Sequence, residues 1–397
     1  MKTNLKKQLR LPDEARARQH LLALLNIPGL SGEEMLVADH LEKVLLAAGC
    51  QPAWLRRLPA RPPLPAKFGM GNLVVQLPGT FAGPSRMFLA HMDTVPLCRG
   101  AQPVIKNDRV VARGHTALGG DNRAGVAALL TVAETILKNK LPHPPLTFLF
   151  TVGEEVGLYG AKSVKAADVG KPAMAFNFDS GRPDEIITGA IGAQRWRAEL
   201  HGISSHAGMH PERGASALLI ASRALAEVAD RGWFGKVRQG KRSGTSNAGV
   251  IHGGDATNQV THHVVVHGES RSHHPAFIKQ ISAAYRTAFE RAAKQVRNCE
   301  GEHGRVEFHC DNDYQPFHIP ERAPVVRFTR QIADRLGLET RCVAINGGLD
   351  ANPLNAAGIP TVTLGVGAHH PHAYDEYVDL IQFATGCRLT LELATTK

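Results

Sequence analysis

The sequence predicts an α/β protein in which a mixed sheet covered by helices is interrupted by an inserted ferredoxin-like βαββαβ segment. Three observations lead there. At 397 residues the chain exceeds one ordinary core, since domains average roughly 150 residues. Short, wholly apolar strand-like runs alternate with helical stretches, the pattern of a sheet buried on both faces. Between Gln194 and Asp311 the rhythm changes to strand, helix, two strands, helix, strand. The expected organisation is therefore a first part over residues 1–193, an insertion over 194–311 and a second part over 312–397.

In chain order, Ala15 to Ala48 reads as two helices broken at Pro28-Gly29, with Ser31 and Glu34 spaced as a capping box for the second. Strands are expected at Asn72 to Leu77, Arg86 to Ala90, Leu146 to Val152, Ala173 to Phe178 and Thr361 to Val366, and a helix over Ala124 to Lys138. The Pro59 to Pro65 stretch reads as a loop. Inside the insertion, strands are expected at Arg195 to His201, Ser246 to Ile251, Val264 to Ser270 and Arg305 to Cys310. Helices are expected at Ala215 to Ala229 and Phe277 to Val296.

Composition excludes several classes. Charged residues at 21% and hydrophobic residues at 43% fit a globular chain and not a disordered or fibrous one. No window approaches the ~18 uninterrupted apolar residues of a membrane span, and the basic N-terminus lacks the apolar core of a signal peptide. Six cysteines without a CxxC pair suit a reducing, cytoplasmic setting. The formal charge of +10 raises a polyanion-binding alternative, but the basic residues lie in separate short groups without interleaved aromatics. Neither nucleic acid nor membrane is expected as a partner.

Chemistry-bearing residues cluster at strand ends. His91-Met92-Asp93 follows a strand, where a carboxylate can fix the second imidazole nitrogen of a metal-binding histidine. The same HxD spacing recurs at His309-Cys310-Asp311, so spacing alone decides nothing. Asp121, in the turn Gly119 to Gly125, is either an inward-facing ligand or a helix N-cap. Glu154 and Glu155 follow another strand and could supply a base and a ligand side by side, whereas Gly32-Glu33-Glu34 has the same letters but reads as capping and solvated charge. Asp179 closes a further strand and His372 lies beyond the last. In open α/β sheets ligands gather at the carboxyl ends of strands. Two histidines and three carboxylates suit two zinc ions with one bridging acid.

The series AHMDTVP, LGGDNRAGVAALL, FTVGEEVGLYGAK, NFDSG, GISSHAGMHPERGASA, GVIHGGDATN, ESRS, GGLDANPLNAAGIPTVTLGVG and HHPHAYDEY runs in order from Ala90 to Tyr377, within a likeness that extends from about Leu21 to Leu380. It resembles the dizinc exopeptidase family of peptidase T, glutamate carboxypeptidase and the aminoacylases, and within it the tripeptidase branch. The resemblance implies a zinc-exopeptidase-like catalytic domain with an inserted lid that also dimerises, and hydrolysis of short peptides with two Zn²⁺ (or Co²⁺ or Mn²⁺) per subunit. His91 and Asp179 would hold one ion, Glu155 and His372 the other, and Asp121 would bridge. Asp93 would orient His91, and Glu154 would be the general base. His206, contributed by the partner subunit, would help bind the oxyanion. Asn258 and Arg271 would contact substrate, and Gly347-Gly348 would line the pocket.

The chain departs from that pattern in places. Asn122 and Arg123 stand where Asp and Lys are usual, and Ala368 and Ala373 replace an aromatic and a hydroxyl residue near His372. His262, His263, His273 and His274 take no role from the resemblance and read as surface residues. A carboxypeptidase or an N-acyl-amino-acid amidohydrolase would use the same metal centre, so both remain alternatives to an aminopeptidase.

Overall fold

A computed structural model describes residues 12–65 and 68–397, which form two compact units. The first comprises the chain through Gly189 together with His318–Ile345 and Leu349–Lys397; the second comprises Ala190–Phe317 and Asn346–Gly348.

The first unit is built on a mixed sheet. Four neighbouring strands at its centre, Leu146–Thr151, Arg86–His91, Met174–Phe178 and Thr361–Leu364, run parallel. Leu73–Leu77 pairs antiparallel on one side and Glu185–Ala190 on the other. Every residue of the four central strands is buried, as two-sided coverage by helices requires. Phe88 lies at the middle of this layer, with ring centroids 5.6, 5.3 and 6.2 Å from Phe148, Phe176 and Phe178. Burying each such ring stabilises the fold by roughly 1.5–3 kcal/mol.

The helix Gly120–Lys138 is apolar around most of its circumference, because it packs against the Arg86–His91 strand while Glu14–Leu25 and Leu380–Thr395 cover it. Its first turn is kinked at Asp121 and Asn122, and the peptide bond between them is cis. Gly125 sets how closely the helix meets the sheet. A Cβ there would fall 2.1 Å from the Phe178 carbonyl oxygen, so only glycine brings this turn against the strand that ends at Asp179.

The capping expectation at Ser31 does not hold. The helix spans Met35–Ala47 with Glu34 at its N-cap and no side-chain capping bond. The Ser31 hydroxyl donates to Asp93 Oδ2 instead (2.6 Å). Glu34 is not solvated either: it is 2% exposed and accepts from the amides of Gly32 and Gly153 (3.0 Å each). The buried Asp93 and Gly153 offered these two side chains stronger partners than an exposed helix end could.

In the second unit five antiparallel strands are ordered Gly235–Gln239, Arg242–Gly253, His263–Ser272, Gly192–His201, Arg305–Tyr314. Without Gly235–Gln239 this is the ferredoxin-like βαββαβ arrangement; that edge strand, rich in charge and glycine, went unread in the sequence. Helices Ala217–Asp230 and Pro275–Gln295 cover one face, packing on Trp196, Ala198 and Leu200.

Candidate metal centre

The carboxyl ends of the four parallel strands carry the acids and histidines expected there. His91 ends its strand, Glu154 and Glu155 follow Thr151, and Asp179 follows Phe178. His372 lies beyond Leu364 in the left-handed conformation (φ 62°). Asp121 is the hub. Its Oδ1 lies 3.0 Å from His91 Nε2 and its Oδ2 3.5 Å from His372 Nε2. His91 Nε2 is also 3.6 Å from Asp179 Oδ1, and His372 Nε2 is 2.9 Å from Glu155 Oε2. The N-cap alternative for Asp121 fails, because Asn122 Oδ1 accepts from the Gly125 amide (3.0 Å) beyond the kink while Asp121 faces both imidazoles.

Asp93 is fully buried and organises the opposite side. Its Oδ1 is 3.4 Å from His91 Nδ1 and accepts from the Glu154 amide (3.1 Å), and its Oδ2 accepts from the Glu155 amide (3.2 Å). The Asp93 carboxylate thus fixes the turn bearing both glutamates, and His91 Nδ1 also lies 3.1 Å from the Asp93 backbone carbonyl oxygen.

The electrostatics call for cations. Burial and the neighbouring Asp179, Asp350 and Glu155 hold the Glu154 carboxyl well above its ordinary range, against the opposing pull of His91. Burial and Asp121 raise Asp179 and Glu155 as well. For His91, burial alone would lower the pKa, but Asp179, Asp121 and Asp93 hold it well above normal; hydrogen bonds to Asp121 and Glu155 lift His372 to about 10. Burial would raise Asp121 too, but His372 and His91 depress it. Two imidazoles and two carboxylates around the shared Asp121 are a donor set that fits two divalent ions.

Residues 87–396 match Peptidase family M20/M25/M40. The chain belongs to this family. A tripeptidase from Staphylococcus aureus subsp. aureus Mu50 superposes with a TM-score of 0.84 at 30% identity, covering 97% of this chain and 99% of that one. The aminopeptidase PepT from Bacillus cereus ATCC 10987 superposes at 0.81 with 28% identity, covering 97% and 98%. The protein YqjE of Bacillus subtilis (strain 168) is 33% identical over 309 residues, 78% of this chain and 80% of that one. The chain is thus an M20 peptidase of the peptidase T-like branch, a hydrolase of peptide bonds.

Around the centre of this M20 peptidase stand groups that sequence reasoning left without a role. Glu376 accepts from the amides of Leu118, Gly119 and Asp121 (2.8, 2.8 and 2.9 Å), tying down the turn that carries Asp121. Burial pushes its carboxyl up to about 7 despite these donors. Asp350, also pushed up to about 7 by burial, accepts from Thr151 Oγ1 (2.5 Å) at the end of a central strand. Burial and Asp93 raise Glu34 to about 7. Arg123 is 2% exposed, donates to the Gly29 carbonyl (3.1 Å) and is lowered to about 10 by burial, with Asp93 and Glu34 opposing. Glu376 and Asp350 lie inside the motifs HHPHAYDEY and GGLDANPLNAAGIPTVTLGVG, and their place there was the available signal.

The remaining expected residues lie in the second unit. His206 is exposed, and its Nδ1 accepts from the amides of Gly208 and Met209 (3.2 and 3.1 Å). The neutral ring therefore carries its proton on Nε2, which is left to donate. Asn258 is exposed, and its carbonyl accepts from Ala207 (2.8 Å). Arg271 is not free: it pairs with Glu269, Nη2 donating to Oε2 at 2.8 Å, so any substrate carboxylate must share or displace that partner. Gly347 is half-buried, and Gly348 packs on the Tyr314 ring, where a Cβ would come within 2.5 Å.

Metal loading of the stripped protein is expected to release protons, because the neighbouring carboxylates raise the proton affinity of His91 and His372 and bound ions displace those protons. Calorimetric titration in buffers of different ionisation enthalpy measures this release, and affinity should rise with pH. Buffer-independent heats together with a flat pH dependence would contradict the assignment of these histidines.

Proposed function

We propose that this M20 peptidase is a dizinc, tripeptidase-like aminopeptidase acting on short peptides. The observation that carries the reading is the convergence of His91, Asp121, Glu155, Asp179 and His372 at the ends of four parallel strands. His91 and Asp179 hold one ion, Glu155 and His372 the other, and Asp121 bridges, with zinc the native metal and Co²⁺ or Mn²⁺ able to replace it. When bound, the ions polarise the scissile carbonyl and acidify water. Glu154 takes the proton from the attacking water and returns it to the leaving amine. Asp93 keeps His91 oriented, and Glu376 keeps the Asp121 turn in place. The Nε2–H of His206 donates a hydrogen bond to the oxyanion.

The second unit serves in this reading as lid and dimerisation surface, with His206 acting on the partner subunit's centre. An open strand edge supports that role. Gly235–Gln239 pairs only with Arg242–Ser246, which leaves Asn247–Gly253 without an outer partner strand among the described residues, and Val250 and Ile251 are 44% and 48% exposed. Asn258, Arg271, Gly347 and Gly348 line the substrate side. Six free cysteines favour a cytoplasmic setting. Among the described residues no helix is long and apolar enough to cross a membrane.

A panel of di-, tri- and tetrapeptides with free and acetylated N-termini, read by mass spectrometry, tests the reading. Release of the N-terminal residue from free tripeptides, with loss of turnover on acetylation, is the expected result. Cleavage of acetylated peptides or of N-acyl-amino acids would instead assign a carboxypeptidase or amidohydrolase on the same centre.

A further inference from the structure

The helix-free face of the second unit's sheet carries a second cluster of metal-ligating side chains. Strand alternation sends Trp196, Ala198 and Leu200 to the helices and Arg197, Glu199 and His201 to the other face. His263 and Arg305 are the direct cross-strand neighbours of His201, and Glu307 is that of Glu199. Four potential ligands on three adjacent strands are thereby brought to one patch. His263 Nε2 is 2.9 Å from Glu199 Oε1, His201 Nε2 is 3.6 Å from Glu307 Oε1, and the imidazole centroids are 5.4 Å apart. One ligand atom each from Glu199, His201 and Glu307 lie within 4.8 Å of one another.

We propose that Glu199, His201, His263 and Glu307 form a further metal site, for a divalent transition ion of the zinc, cobalt or nickel class. Donors 2.0–2.1 Å from a tetrahedral ion stand about 3.3–3.4 Å apart, a spacing that the 2.9 and 3.6 Å separations bracket. Two imidazoles with two carboxylates select a borderline transition ion over calcium or magnesium, which take oxygen shells. His201 Nε2 supplies a second observation: it is buried and has no hydrogen-bond partner among the described residues, although an acid lies near it. Glu199 is supported from behind, since Arg197 Nη1 holds its Oε2 at 2.5 Å while Oε1 faces the histidines. Arg305 lies 2.5 Å from Glu307 Oε1 and is 66% exposed, so a bound ion displaces an arginine already free to turn into solvent.

The cluster is independent of the catalytic reading. Along the His263–Ser272 strand, His263 precedes Arg271 by eight positions, about 27 Å at ~3.4 Å per residue, so the ion lies far from the expected substrate contact. Binding there pins three strands together and acts on the stability of the unit rather than on chemistry. The other histidines left over from the sequence do not join it. His273 Nε2 meets Asn346 Oδ1 at 3.2 Å, and His262 Nδ1 lies 3.8 Å from Asp255.

The test is a titration of chelator-stripped full-length protein with Zn²⁺ against a chromophoric competitor, repeated with Co²⁺ and its visible absorption. Wild type is expected to bind one equivalent more than the His201→Ala/His263→Ala double variant, whose peptidase activity at saturating metal is unchanged. Glu307→Gln, which keeps side-chain size, should weaken that same equivalent by ~10-fold or more. Asp121→Ala should lose catalytic-centre metal yet retain the additional equivalent, which separates failure of this proposal from failure of the dizinc reading. Equal stoichiometry in wild type and the double variant, both folded by circular dichroism, overturns the site.

Discussion

Replacing Glu154 by Gln is expected to lower kcat at least ~10²-fold while both metals stay bound, because the change removes a proton acceptor and preserves side-chain size. The two adjacent glutamates are fixed as a pair through their backbone, their amides donating to the two oxygens of buried Asp93. Their side chains face different tasks. Glu155 reaches His372 at 2.9 Å, within the donor set, whereas Glu154 lies where burial, together with Asp179, Asp350 and Glu155, raises its proton affinity. A carboxylate so placed suits a base that must take a proton and give it back, and bound cations would draw its pKa back toward the working range. Glu155→Gln should instead weaken metal binding and recover part of its activity at high metal concentration. Steady-state kinetics alongside metal analysis by mass spectrometry separates the two. If Glu154→Gln loses metal and Glu155→Gln keeps it, base and ligand have been interchanged.

The parallel core was readable because its strands are buried on both faces and therefore written as unbroken apolar runs. The end of each run fell within two residues of the strand that forms, and those ends are where His91, Glu154 and Asp179 stand. The strands that escaped, such as Gly235–Gln239 and Arg341–Ile345, are short and largely exposed, so they carry neither a long apolar run nor clean alternation. Glu34 shows a second limit. Ser31 and Glu34 have capping-box spacing, and nothing local distinguishes that motif from two side chains aimed at Asp93 and Gly153 across the fold. The supporting acids Asp350 and Glu376 are defined by burial and by distant partners, the Thr151 hydroxyl for one and the amides of Leu118, Gly119 and Asp121 for the other, properties that single-sequence periodicity does not contain.

On the proposed partner-subunit role of His206, the His206→Ala and Glu154→Ala proteins are each expected to be nearly inactive, and mixing them is expected to restore activity. His206 lies in the second unit in the segment Ser204 to Gly208, far in sequence from every residue of the metal cluster. It does not cap the helix Ala217–Asp230, whose N-cap is Ser216, its hydroxyl accepting from the Leu219 amide. Its Nδ1 is occupied by the amides of Gly208 and Met209, so the ring presents a proton on Nε2, as an oxyanion donor must. Removing the ring disturbs no metal ligand, and both variants should load metal as wild type does. In a mixed dimer the chain with intact Glu154 receives an intact His206 from its neighbour, while the reciprocal site lacks both. Random exchange at equal concentrations makes half the dimers mixed, and each carries one complete site of two, so recovery should approach roughly a quarter of wild-type activity. Exchange confirmed by native mass spectrometry without recovery would place His206 on its own chain's centre or outside the reaction altogether.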